Sequence, residues 1–153
     1  MAVNKLEPAE KVDSYFRVNI FDQTIQKRRA VAYCRVSSDH DDQLNSLANQ
    51  KEHWEEYIKE QSYMEFCGLY VDEGITGTST LKRDGFKQMI RDAHAKKFDI
   101  ILTKEVSRFA RNTVDTLVYT RELKALGVGV YFHNDNIYSL DKDGELRLTL
   151  WQH

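Results

Sequence analysis

The sequence predicts an α/β fold: a mostly parallel sheet of four to five strands with helices on both faces. Two observations carry this. Short apolar runs recur at Arg29–Cys34 (RAVAYC), Phe66–Val71 (FCGLYV), Ile100–Thr103 (IILT) and Val128–Phe132 (VGVYF), as expected of strands buried on both faces. Between them lie stretches whose apolar residues fall at helical spacing. Strands alternating with helices form βαβ units, whose crossovers set neighbouring strands parallel.

Met1 to Lys27 holds the only proline, Pro8, and shows no strong period. It reads as an N-terminal extension (1–27) with a short strand around Tyr15–Ile20. Arg29–Cys34 is the first buried strand. Gln43 to Glu60 places Leu44, Leu47, Trp54 and Ile58 at helical spacing with charges between them. The second strand is closed by a polar, Gly-containing loop, Asp72 to Lys82. Phe86, Met89, Ile90 and Ala93 then recur at i, i+3, i+4 and i+7 of an amphipathic helix. Asp99 is the turn residue before the third strand. Asn112–Ala125 reads as a helix with its stop at Gly127. Asp141–Gly144 is a turn, and Glu145–His153 (ELRLTLWQH) opens an apolar-periodic pattern, the start of a longer helix. The expected organisation is thus an extension at 1–27, one domain at 28–144 and a helix start at 145–153.

Composition narrows the function classes. With 153 residues, 41% of them hydrophobic, the chain can build one core. Its 22 Lys+Arg against 24 Asp+Glu give a formal net charge of −2, which argues against holding DNA by bulk charge alone. No stretch approaches the ~18 uninterrupted apolar residues of a membrane span. Cys34 and Cys67 are too few for a disulfide scaffold, which points to a reducing compartment.

In open α/β sheets, ligands bind beyond the carboxyl ends of the strands. The segments there are Arg35–Asp39, Asp72–Arg83, Lys104–Arg111 and Asn134–Tyr138. Arg35 and Ser37 share one side of an extended backbone. Arg108 and Arg111, three apart, would share one face of a helical turn. Guanidinium groups gathered there with Arg83 would repel by up to ~4 kcal/mol per close pair at an effective dielectric of about 20. An anion would neutralise them, and planar forks suit phosphate. Ordinary ion pairing is the competing reading, with Glu105 beside Arg108 and Asp115 beside Arg111. Ser37 is a nucleophile only with strong electrostatic help; otherwise Ser37-Ser38 is a turn or a helix cap. His40 and His133 lack triad context. The Asp39–Asp42 run, which includes His40, lacks metal-ligand spacing. Gly74–Thr78 lacks the lysine and spacing of a P-loop. No cofactor or metal is expected.

Tyr33-Cys34-Arg35-Val36-Ser37-Ser38, Asp72-Glu73-Gly74-Ile75-Thr76-Gly77-Thr78 with Lys82-Arg83, and Ser107-Arg108-Phe109-Ala110-Arg111-Asn112-Thr113-Val114-Asp115 together resemble the catalytic domain of the serine recombinases. This is the resolvase/invertase family, and the combination is most similar to its large-integrase or transposon-recombinase branch. Gly144-Glu145-Leu146 with Leu148-Thr149 resembles the start of that family's dimerisation helix. The resemblance implies that Ser37 attacks a DNA phosphodiester, giving a 5′-phosphoserine link and a free 3′-hydroxyl. It implies that Arg35, Arg108 and Arg111 hold the scissile phosphate, with Arg83 assisting nearby. Gln50 would help order the active-site loop, and Asp72 would orient an arginine or the serine.

There are departures from the family pattern. Ser107 stands where small resolvases carry aspartate, as in the large branch. The glutamine soon after the serine is displaced by the acidic insert Asp39–Asp42, with Gln43 a shifted counterpart. The implied partners are double-stranded DNA recombination sites and further copies of the chain, as homodimer and synaptic homotetramer, without a membrane. The implied setting is a bacterial or phage-encoded, cytoplasmic, DNA-associated protein. Two other readings stay open: a catalytically silent assembly module of the same fold, and a doubly wound domain binding a small phosphorylated ligand.

Overall fold

The computed structural model describes residues 27–37, 47–74 and 83–151. The expected strand at Tyr15–Ile20, the acidic insert with His40 and Gln43, the loop from Ile75 to Lys82 and the last two residues lie outside them. Five strands form one sheet in the order β2-β1-β3-β4-β5. They are β1 (Arg28–Ser37), β2 (Met64–Gly74), β3 (Ile100–Thr103), β4 (Gly129–Phe132) and β5 (Ile137–Tyr138). The first four pair in parallel, and β5 returns antiparallel on β4. The helices are α1 (Leu47–Glu60), α2 (Asp84–His94), α3 (Val106–Phe109), α4 (Thr113–Ala125) and α5 (Gly144–Leu150).

Period-two alternation in the strands divides the core into two layers. Val31, Tyr33, Ile101, Val130 and Phe132 point to the face covered by α2, α3, α4 and α5, through Phe86, Met89, Phe109, Leu123 and Leu148. Ala30, Ala32, Cys34, Ile100, Leu102 and Tyr131 point to the other face, covered by Trp54 and Ile58 of α1. All four residues of β3 are buried, which is why IILT carries no polar alternation. Helices on both faces of a mostly parallel sheet are what the sequence predicts.

Local chemistry sets the boundaries. Asn112 caps α4 by accepting from the Asp115 amide at 2.8 Å. Gly127, at φ +78°, supplies the left-handed turn that ends it. Asp99 is more than a turn residue. Its carboxylate accepts from the Arg29 backbone amide at 2.9 Å and from the Arg29 guanidinium at 3.2 Å, tying the start of β1 to that of β3. Burial alone would raise the Asp99 carboxyl, but these hydrogen bonds hold it below the ordinary carboxylate range.

One expectation is corrected. Arg108 and Arg111 do not share a helical face, because α3 ends at Phe109 and Ala110 is extended (φ −145°, ψ 163°). The chain leaves the helix between the two arginines.

Candidate active site

The strand order reverses at β1: β2 lies on one side of it and β3 on the other. That switch point opens a crevice beyond the carboxyl ends of β1 and β3. A cleft of about 590 Å³ lies there, bordered by Arg35 of β1, Gln50 and Trp54 of α1, Lys104 after β3, Arg108 of α3 and His133 after β4. Ser37 is the last residue of β1, paired in register with Gly74 of β2. It is two positions beyond Arg35 in the sequence.

Among the described residues the cleft cations Arg35, Lys104 and Arg108 form no ion pair. Among the described residues neither Arg108 nor Arg111 forms an ion pair. The acids that ordinary pairing would assign to them are engaged elsewhere. Glu105 accepts from Ser107 Oγ at 3.2 Å and from Asn134 Nδ2 at 3.3 Å. The Asp115 backbone amide and side chain both meet the Asn112 cap. Arg35 Nε is buried and has no hydrogen-bond partner among the described residues. A buried, unpaired guanidinium nitrogen is costly unless an acceptor arrives. Glu52 and Glu56 of α1 also border the cleft, but among the described residues neither pairs with Arg35 or Arg108, which leaves these guanidinium groups open to an anion.

Cys34 also borders the cleft, but burial pushes its thiol up to about 12, with Trp54 as a hydrogen-bond neighbour. A thiol held neutral is no nucleophile. His133 sits edge-on among aromatic rings, 5.0 Å from Tyr57 and 6.1 Å from Trp54 between centroids. Sequence spacing gave no signal for these cleft neighbours, since each reaches the site from a different element.

The remaining candidates stand behind this cleft. Asp72 is buried, and among the described residues no hydrogen bond or ion pair joins it to an arginine side chain. Its carboxylate accepts from Tyr33 Oη at 2.5 Å, from the Gly85 amide at 2.7 Å and from the Phe86 amide at 3.0 Å. It caps the first amides of α2, the helix that Arg83 immediately precedes. Burial, and then the bond to Asp72, raises the Tyr33 phenol above its ordinary value, so it donates. Arg83 immediately precedes α2, with its guanidinium carbon 3.9 Å from the Phe86 ring centroid. One of its nitrogens donates to the Phe109 carbonyl.

Sequence reasoning missed Asp135. Its Oδ2 accepts from the Val106 amide at 2.8 Å and caps α3, while Oδ1 accepts from Trp151 Nε1 at 3.2 Å. A loop aspartate before a two-residue strand offers no local sign of this.

Among the described residues no cluster of His, Cys, Asp and Glu could hold a metal, and no helix is long and apolar enough to cross a membrane.

Comparison with known proteins gives the same picture. The family model for the resolvase N-terminal domain matches residues 30–153. A search of curated proteins returned no match. A resolvase family site-specific recombinase from Streptococcus pneumoniae superposes with a TM-score of 0.67 at 30% identity, covering 80% of this chain and 84% of its own. The N-terminal catalytic domain of TP901-1 integrase shares the fold with a TM-score of 0.67 at 23% identity, over 80% of this chain and 90% of its own. A serine recombinase from Sulfolobus solfataricus aligns at 0.53 with 25% identity, covering 78% of this chain and 75% of its own. With the match running from β1 through α5, the chain belongs to the resolvase family and is a serine recombinase catalytic domain.

Proposed function

We propose that this domain breaks and rejoins DNA through Ser37. Ser37 Oγ attacks a backbone phosphorus, the bond to the 3′-oxygen breaks, and that oxygen leaves as a 3′-hydroxyl after taking up a proton. The product is a 5′-phosphoserine ester. After strand exchange a 3′-hydroxyl attacks the same phosphorus and releases the serine, so the bond is conserved and no nucleotide cofactor is required. Arg35, Arg108 and Arg111 hold the phosphate oxygens and the charge that develops on them. Phosphoryl transfer depends chiefly on positioning and electrostatic stabilisation. Gln50, bordering the same cleft, orders the loop that follows Ser37. Ser107, hydrogen-bonded to Glu105, replaces the aspartate of small relatives and supplies no carboxylate for proton transfer.

The observation that carries this reading is the pair Arg35 and Arg108 on one cleft, neither with an acidic partner among the described residues. The substrate is double-stranded DNA bearing recombination sites, acted on by paired dimers, with α5 as part of the dimer contact.

The test is trapping. The full-length protein, incubated with DNA carrying its recombination sites and quenched with denaturant, should leave protein covalently attached to 5′ ends. Ser37→Ala should leave none. An adduct that persists in Ser37→Ala would remove Ser37 as the nucleophile. A protein that binds its sites, assembles and never forms an adduct would favour the silent assembly module.

A further inference from the structure

We infer that Arg83 is a positioning residue that fixes the turn carrying Arg108 and Arg111, not itself a ligand of the phosphate. The inference rests on the phosphoryl-transfer reading and assigns a separate task within it.

The guanidinium of Arg83 is engaged among Tyr33, Phe86 and Phe109 of the core layer under α2 and α3. Its central carbon lies 3.9 Å from the Phe86 ring centroid and 5.8 Å from that of Tyr33. One terminal nitrogen donates to the Phe109 carbonyl, and Nε is buried with no partner among the described residues. Arg35 and Arg108 border the cleft, whereas Arg83 does not. A planar guanidinium lying over an aromatic face while its edge donates to a carbonyl is a geometry that suits arginine and not lysine.

Phe109 is where such a bond matters most. Helix α3 has only four residues, Val106–Phe109. So short a helix has almost no stability of its own, and its last carbonyls are unpaired by construction of the helix. Its placement must come from outside. Asp135 holds the first turn through the Val106 amide, and Arg83 holds the last carbonyl. The peptide so held lies between Arg108 and Arg111, where the backbone turns extended at Ala110. Both arginines take their direction from it.

Arg83 is itself held. It precedes α2, whose first amides are capped by Asp72, and Asp72 accepts from Tyr33, two residues before Arg35. Gly85 leaves room for this cap, since a Cβ there would stand 2.9 Å from Asp72 Oδ1. One buried cluster thus joins the end of β1, the end of β2, the start of α2 and the end of α3, setting three arginine-bearing segments relative to each other.

The test uses this chain, ¹⁵N-labelled, titrated with inorganic phosphate while arginine Nε–H signals are followed. Arg35, Arg108 and Arg111 should move together on one saturation curve, and Arg83 should not move. An Arg83 signal that shifts with the same affinity overturns the proposal. Arg83→Ala should speed amide exchange at Phe109, Ala110 and Arg111 by about tenfold or more and weaken phosphate binding several-fold. Arg83→Lys, which keeps the charge but not the planar fork, should behave like Arg83→Ala in both readouts. Recovery of phosphate affinity by Arg83→Lys while exchange stays fast would assign Arg83 to the anion and defeat the positioning role. If Arg83→Ala does not fold, the unsubstituted titration and Arg83→Lys still decide. Phosphate that moves no arginine signal would defeat the anion cleft, while the exchange data would separately judge the clamp.

Discussion

Asp72 shows how much one carboxylate can organise. It accepts three hydrogen bonds within a buried site, two of them from the first amides of α2. Asp72→Ala would remove a helix cap worth ~1 kcal/mol and leave the Tyr33 hydroxyl buried without its acceptor, a further 1–3 kcal/mol or so. Urea unfolding should therefore show a loss of about 2–4 kcal/mol, with Tyr33→Phe costing clearly less because it removes only a donor. Asp99 offers a pH-dependent counterpart. Its carboxyl is held below the ordinary range by Arg29, against the pull of burial. A depressed carboxylate stabilises the fold at pH values above its unfolded value near 3.9. That contribution is lost as pH falls through the folded value. Asp99→Asn should thus be less stable than the parent at pH 7, and the gap should close as pH is lowered below about 4. A gap of unchanged size at pH 2 would mean that the Arg29–Asp99 contact acts through packing and not charge.

At the scale of elements, α5 separates what a sequence pattern can and cannot say. The sequence marks a helix start here but does not say which of Leu146, Leu148 and Leu150 faces the core. In a helix, residues two apart point to nearly opposite sides, so Leu148 is 1% exposed while Leu146 and Leu150 are 60% and 68% exposed. Leu148→Ala should cost about 2–5 kcal/mol by the cavity it leaves. Leu146→Ala and Leu150→Ala should stay within ~0.5 kcal/mol in the monomer and show any larger effect only in self-association. β3 was legible to the residue, because IILT is a buried apolar run bounded by Asp99 and the polar Lys104. β2 runs past the FCGLYV segment at both ends, since its pairing with β1 continues from Met64 to Gly74 whatever its side chains. α3 and β5 had no sequence signature. Four residues and two residues carry no period, and each is held by distant groups, the Asp135 carboxylate for α3 and the edge of β4 for β5. The shared face expected for Arg108 and Arg111 failed for the same reason: spacing assumes that the helix continues, and Ala110 ends it.

For the whole molecule, the switch between β2 and β3 around β1 places the cleft, and the charge balance decides how strongly that cleft can hold DNA. Arg35, Arg83, Arg108 and Arg111 were legible as candidates because they lie at strand ends or in the segments that follow them, with ordinary ion pairing as the competing reading until the motif resemblance favoured a phosphate site. That Arg83 donates to the Phe109 carbonyl and stacks on Phe86 was not legible, because those partners come from distant elements. A net charge of −2 supplies no general attraction for a polyanion. Binding by this chain alone would then rest on the cleft cations Arg35, Lys104 and Arg108. Neutralising two to four phosphates gives a slope of log affinity against log salt of roughly −2 to −4 on duplex DNA. Fluorescence anisotropy with a labelled duplex should accordingly show weak binding at low salt that fades near ~150 mM, without preference for sequence. Arg108→Ala should flatten the slope by about one unit. Tight binding that persists at 150 mM, or a slope several units steeper, would locate a second basic surface outside the cleft. In that case DNA would be held first by that surface and only then delivered to Ser37.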